Sequence, residues 1–148
     1  MTHQEAAQFL TEHDNYLILT HKRPDGDTIG CGVGLCHLLR KMGKTAWLLP
    51  SLDATALFQE YLEGVQAPEG YTPDTVVSVD VATLGLLPQN AQPYVERIDL
   101  AIDHHPSQEF FAQNTCLDAA RAACGELMYD ILRGITPITR GIDRKSVV

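Results

Sequence analysis

Short, nearly uninterrupted apolar runs recur along the chain, and three of them end on an acid or an imidazole. Tyr16 to Thr20, Thr45 to Leu49, Val76 to Val79 and Leu100 to Ile102 have too few polar interruptions for a half-exposed strand and predict strands buried on both faces. Helical spacing separates them. Thr2 followed by Glu5 forms a capping-box pattern that opens a helix over residues 3 to 13, with Ala6, Phe9 and Leu10 on its apolar face. Gly30, Gly32 and Gly34 stand at the start of the next helix, where absent side chains allow close approach to a ligand or to the sheet; Leu35, Leu38, Leu39 and Met42 continue it and Gly43 stops it. Leu57 to Leu62 predicts a short helix, Gly64 to Pro73 a loop, and Leu84 to Leu87 a turn or short helix. A last helix spans about Ala120 to Leu132, with Ala123, Leu127, Met128 and Ile131 inward. Beyond it, from Gly134 to Val148, no period is visible, and that stretch reads as an interruption. The expected architecture is α/β: an open, mostly parallel sheet with helices on both faces, whose crossovers bring the carboxyl ends of the strands to one edge.

That edge is where the chemistry collects, because ligands of open α/β sheets gather outside the carboxyl ends of strands. Tyr16-Leu-Ile-Leu-Thr-His-Lys-Arg-Pro-Asp-Gly-Asp-Thr-Ile-Gly30 delivers His21, Asp25 and Asp27 within seven residues of one strand end. Asp80 closes Val76-Val-Ser-Val-Asp80, and Asp103, His104 and His105 close the fourth strand. Carboxylate oxygen with imidazole nitrogen suits Mn²⁺, Zn²⁺ or Fe²⁺, whereas an all-oxygen set would favour Mg²⁺ or Ca²⁺. Two ions about 3.5 to 4 Å apart that share a carboxylate clamp the oxygens of a phosphoryl group during in-line displacement. Asp80, alone on its strand end, is the candidate for the shared ligand. Taken singly these residues have plainer readings: a solvated turn for Asp25-Gly-Asp27, a structural or surface role for His21, a strand-end carboxylate for Asp80. The joint pattern carries the metal reading. Ser107 either donates to a phosphate or ends a turn, and Lys22 and Arg23 either face a phosphate or are exposed bases.

Composition narrows the partners. With 148 residues the chain has room for one ordinary domain, and 11 basic against 19 acidic residues give a formal charge of -8, which disfavours a broad surface for duplex nucleic acid. A small phosphorylated substrate held through metal ions remains compatible. No apolar stretch approaches the roughly 20 residues of a membrane span, and no signal peptide is visible, so a cytoplasmic location without membrane attachment is expected. Cys31, Cys36, Cys116 and Cys124 lack zinc-type spacing and read as reduced core thiols. The glycines near residue 30 do not follow the dinucleotide-binding fingerprint, because Pro24, Asp25 and Asp27 occupy the strand-to-helix turn.

Through His21-Lys-Arg-Pro-Asp-Gly-Asp-Thr-Ile-Gly30, Asp80 in Val-Ser-Val-Asp, and Asp103-His-His-Pro-Ser107, the chain resembles the DHH phosphoesterase superfamily over most of residues 1 to 133. The run Cys124-Gly-Glu-Leu-Met-Tyr-Asp-Ile-Leu132 makes it most similar to the branch of bifunctional oligoribonucleases and 3'-phosphoadenosine 5'-phosphate (PAP) phosphatases. The resemblance implies a binuclear manganese-type centre, with His21 and Asp25 on one ion, Asp27 and His104 on the other, and Asp80 bridging. It further implies that His105 sits near the transferring phosphoryl group and that Asp103 orients the histidine pair. Implied substrates are short RNA oligonucleotides and the adenosine bisphosphate. Other branches, acting on cyclic dinucleotides, pyrophosphate or single strands, and a non-catalytic metal-binding module are the alternatives. Two features of the resemblance are missing. Gly141-Ile-Asp-Arg-Lys-Ser146 stands where a fourth aspartate motif is expected, with Asp143 the only nearby acid, and no carboxyl-terminal substrate-binding domain follows. The expectation is therefore an incomplete catalytic domain over 1–133, an atypical tail over 134–148, impaired turnover, and an uncovered edge that favours a homodimer.

Overall fold

A computed structural model describes residues 1–139 of the chain. Five parallel strands, β1 (Tyr16–Leu19), β2 (Ala46–Leu48), β3 (Thr75–Val79), β4 (Leu100–Asp103) and β5 (Asn114–Leu117), form one sheet in the order β2-β1-β3-β4-β5. The four apolar runs are its first four strands. Every residue of β1, β3 and β4 is buried, as continuous apolar runs require when both faces are covered. The direction of chain progression reverses at β1, which pairs with β2 on one side and β3 on the other, and a crevice opens at such a reversal.

One face carries the α-helices α1 (His3–Glu12), α2 (Gly26–Lys41), α3 (Ala56–Leu62) and α4 (Cys124–Thr139), packed on Tyr16, Ile18, Val77, Val79, Leu100 and Ile102. The helices of the other face are short 3-10 turns, Leu84–Leu86 and Gln89–Tyr94, whose loops cover Leu17, Leu19 and Val76 with Leu87, Ala91 and Ile98. The capping box opens α1: the Glu5 amide donates to Thr2 Oγ1 (3.0 Å) and the Thr2 amide to Glu5 Oε1 (2.8 Å). Among the described residues, no helix is long and apolar enough to cross a membrane. All four cysteines are buried and unbridged.

Three elements differ from the pattern reading. Helix α2 begins at Gly26, four residues before the glycine run, because Asp25 serves as its N-cap, Oδ1 accepting from the Thr28 amide at 3.0 Å. Helix α4 starts later, at Cys124, and runs past Leu132 to Thr139, burying Ile135 one turn beyond Ile131. Gly134 does not interrupt it; a Cβ there would lie 3.2 Å from Ala7 Cβ, so the glycine lets α4 lie close against α1. Strand β5 has no counterpart in the reading at all. Arg140 to Val148, including Asp143 and the Gly141–Ser146 stretch, lie outside the described residues.

The α2 glycines divide in function. A Cβ on Gly32 would meet Thr20 Cγ2 at 3.1 Å and Leu48 Cδ2 at 3.2 Å, so this glycine sets how closely α2 approaches the sheet. Gly30 and Gly34 have nothing within 4 Å of a built Cβ and instead border an open groove of about 440 Å³ with Phe58 and Tyr61. Gly32→Leu is expected to force α2 off the sheet and cost about 3 kcal/mol. Gly30→Ala is expected to gain about 0.5–1 kcal/mol from helix propensity. Urea unfolding of the two variants checks the contrast.

Candidate metal centre

Three strand ends converge. His21 follows β1, Asp80 follows β3, and Asp103 is the last residue of β4 with His104 and His105 beyond it. The Asp80 amide extends the β3–β4 ladder by donating to Ile102 O (2.9 Å), and the residue then turns at φ +63°, a left-handed conformation that aspartate tolerates better than most side chains. Thr28 Oγ1 donates to Val79 O at 3.0 Å and ties the first turn of α2 to the end of β3, placing Asp27 beside Asp80. The loop between β1 and α2 is fastened on both sides, by Lys22 N to Leu86 O and Arg23 N to Asp53 Oδ2, each 2.7 Å.

The side chains meet around Asp80, whose side chain is 4% exposed. His21 Nε2 lies 3.8 Å from Asp80 Oδ2 and 3.5 Å from Asp25 Oδ1, while His104 Nε2 lies 3.2 Å from Asp80 Oδ1 and 3.9 Å from Asp27 Oδ2. Among the described residues, two groups have ligand atoms mutually within 4.8 Å: His21, Asp25 and Asp80; and Asp80, Asp103, His104 and His105. Asp80 belongs to both. Asp27 stands at the margin of the second group, because its carboxylate accepts the backbone amides of Cys124 and Gly125, each at 2.9 Å, and so caps α4.

Backbone carbonyls set the imidazole tautomers. His21 Nδ1 is 2.8 Å from Lys22 O and His104 Nδ1 is 3.3 Å from Arg121 O. A carbonyl only accepts, so each Nδ1 carries a proton, and Nε2, a lone pair when the ring is neutral, is the atom turned toward the carboxylates. Lone pair then faces lone pair at 3.2–3.9 Å, an arrangement that a cation between them relieves. Asp80 Oδ1 makes the same point: it is buried and carries no hydrogen bond among the described residues, although His104 Nε2 is near. These residues fit a divalent metal. In the metal-free chain, burial first and the neighbouring Asp27 and Asp25 next push the Asp80 carboxyl up to about 6, against the pull of His105 and His104.

Asp103 is differently placed. It is fully buried, and its oxygens are satisfied by His105 Nδ1 (2.6 Å), the His104 amide (2.8 Å) and Gln108 Nε2 (2.7 Å). It holds the two histidines from behind rather than offering a free oxygen to the cluster. His105 Nδ1 donates to it, leaving Nε2 as the ring's open atom. Ser107 is exposed in the following turn.

Sequence reading left out Gln108, whose surroundings of Ser107, Glu109 and Gln113 look like a solvated loop, and the Cys124 and Gly125 amides, which no side-chain pattern announces. Arg121 was also invisible: its guanidinium pairs with Asp118 and Asp130 and anchors the loop whose carbonyl holds His104.

The chain is also similar to known proteins. The chain is 30% identical over 139 residues to the bifunctional oligoribonuclease and PAP phosphatase NrnA of Thermus thermophilus, covering 84% of this chain and 41% of that protein. The fold superposes with a TM-score of 0.72, at 22% identity, on an exopolyphosphatase-related protein from Bacteroides fragilis, covering 88% of this chain and 43% of that one. The chain thus spans about two fifths of the length of each. Residues 15–145 match the description "DHH family, N-terminal domain", and with nearly nine tenths of the sequence inside that match, this chain belongs to the DHH family.

Proposed function

We propose that this chain is the catalytic domain of a metal-dependent phosphoesterase that hydrolyses phosphoester bonds in short oligoribonucleotides and in 3'-phosphoadenosine 5'-phosphate. The observation that carries the reading is the convergence of His21 Nε2 and His104 Nε2 on opposite oxygens of one buried carboxylate, Asp80. Two divalent ions are assigned to His21, Asp25 and Asp80 and to Asp27, His104 and Asp80; the mixed oxygen and nitrogen donors admit Mn²⁺, and the family resemblance favours it over Zn²⁺ or Fe²⁺. The substrate class is supported by the name of the Thermus thermophilus relative and by the acidic net charge of -8, which leaves anionic substrates dependent on cations in the site.

Bound ions supply Lewis-acid polarisation of phosphoryl oxygens and acidify water enough for it to attack near neutral pH. The chain supplies the rest. Asp103 keeps the proton of His105 on Nδ1, so Nε2 is presented to the reacting phosphoryl group, where it holds or transfers a proton. The Asp103 carboxylate stabilises the imidazolium when that proton arrives. Turnover by these 148 residues is proposed to be weak, because Gly141-Ile-Asp-Arg-Lys-Ser146 lacks a matching aspartate motif.

Calorimetric titration with Mn²⁺ at pH 7.5 is the test, with two equivalents bound per chain expected. At a hundredfold excess over Kd each bound ion stabilises by about 2.7 kcal/mol, roughly 10 °C in melting temperature for a chain of this size. The pH dependence has a defined sign. With its carboxyl raised from 3.8 to about 6, Asp80 binds its proton more tightly folded than unfolded, so its contribution to metal-free stability falls as pH rises through that window. Metal displaces that proton, so competition at Asp80 alone lowers affinity about fourfold between pH 7.5 and 5.5. Absence of Mn²⁺ binding at pH 7.5 sinks the metal assignment. Manganese-dependent release of product from a dinucleotide or adenosine 3',5'-bisphosphate, in preference to a cyclic dinucleotide or pyrophosphate, decides the substrate class.

A further inference from the structure

Gln108 lies in neither ligand group, yet it is only 6% exposed and its carboxamide is used three times. Nε2 donates to Val81 O at 2.9 Å and to Asp103 Oδ2 at 2.7 Å, and Oε1 accepts from the Phe110 amide at 2.9 Å. Val81 directly follows Asp80, and Asp103 is the residue that holds His105. One side-chain amide therefore spans the ends of β3 and β4, just beyond the last ladder bond from Asp80 N to Ile102 O. The bond pattern demands a carboxamide: two donor hydrogens on one atom with an acceptor beside them. Glutamate offers no donor when ionised, lysine offers no acceptor, and methionine offers no donor and only a weak sulfur acceptor.

The consequence falls on Asp103. Its Oδ1 takes the His104 amide and His105 Nδ1, whereas Oδ2 has Gln108 as its partner. Remove that partner, and a buried, charged oxygen is left unpaired; the carboxylate rotates or draws in water to satisfy it, and the Oδ1 bonds to the histidines change with it. We infer that Gln108 is a positioning residue: by fixing Asp103 it keeps the His105 proton on Nδ1 and presents Nε2 to the substrate. The effect on rate rests on the hydrolytic reading above. The effect on the His105 ring does not.

Gln108→Met keeps the side-chain length and removes all three bonds; Gln108→Asn keeps the carboxamide but is one methylene too short to reach Val81 and Asp103 together, and serves if the Met variant does not fold. Long-range ¹⁵N–¹H spectra of the histidine side chains, on the metal-free chain at mildly alkaline pH, read the tautomer directly. Wild type is expected to show His105 protonated on Nδ1, and either variant a mixture with the Nε2–H form, while His21 keeps the wild-type pattern. In turnover on a dinucleotide, kcat is expected to fall about 10- to 100-fold with KM and Mn²⁺ affinity changed less than about threefold. An unchanged His105 tautomer in a folded variant overturns the proposal, as does a rate loss that comes with an equal loss of Mn²⁺ affinity, since either makes Gln108 a brace of the loop alone. Should wild type bind Mn²⁺ and hydrolyse nothing, the substrate reading fails while the spectra still decide the role of Gln108.

Discussion

Asp80→Asn is expected to lower Mn²⁺ affinity on the order of a thousandfold, above the roughly 10- to 100-fold typical of residues one step removed from a metal, because both proposed ions lose a ligand at once. The same variant is expected to melt at a higher temperature than wild type when metal-free. Asp80 Oδ1 carries no hydrogen bond, and burial first, then repulsion from Asp27 and Asp25, pushes the Asp80 carboxyl up to about 6 against the pull of His105 and His104. Near pH 7.5 the metal-free chain therefore holds an uncompensated buried charge. Asparagine removes the charge and brings a donor that His104 Nε2, 3.2 Å from Oδ1 in wild type, is placed to accept. It also accepts the +63° φ at this position. Stability and metal affinity should thus move in opposite directions, the signature of a residue kept for its ligand rather than for the fold. Calorimetry with Mn²⁺ and thermal melting without it give the two readings; a metal-free Asp80→Asn chain that melts below wild type removes the argument that this carboxylate awaits a cation.

How much of this was legible beforehand depended on whether a residue's role is written in its own neighbourhood. Val76 to Val79 and Leu100 to Ile102 were readable as strands because burial on both faces leaves an apolar run, and the acids or imidazoles that end such runs are conspicuous. His21, Asp80 and His104 were found that way. Strand β5, Asn-Thr-Cys-Leu, was not: it lies at the sheet edge, only Cys116 is buried, and four residues of mixed polarity carry no period. The stretch from Gly134 read as an interruption because it shows no period, and the contact that seats Gly134 in the helix is with Ala7, far off in sequence. The support of the site was hidden for a similar reason. Gln108 acts through Asp103 and Val81, and Asp27 through Cys124 and Gly125 at a separation of 97 and 98 residues, and no local pattern encodes a bond between a side chain and a distant backbone amide.

Asp27→Asn should shift the metal-free chain the opposite way from Asp80→Asn. Both are aspartates of the proposed centre, but Asp27 is already well bonded: its Oδ2 accepts the Cys124 amide and its Oδ1 the Gly125 amide, each at 2.9 Å, at the N-terminus of the 16-residue helix α4. A carboxylate from α2 thereby satisfies two of the helix's orphan donors and adds negative charge at the positive end of its dipole. Gly125 permits the approach, since a Cβ there would lie 3.4 Å from Asp27 Oδ1. Asparagine turns one acceptor into a donor facing a backbone N–H, so one bond becomes a repulsion, at a cost of about 1–3 kcal/mol. Oδ1 also accepts from the Cys31 thiol, whereas Oδ2, the oxygen nearer His104, keeps a second lone pair while it caps, so capping and metal ligation are compatible, and the ion proposed to be shared with His104 would draw on a side chain fixed in place by α4. In Asp27→Asn the His21, Asp25 and Asp80 group is left intact. One Mn²⁺ equivalent is therefore expected in place of two, with a lower metal-free melting temperature and faster hydrogen exchange at the Cys124 and Gly125 amides. Two equivalents bound at wild-type affinity would exclude Asp27 from the centre and leave it only the cap.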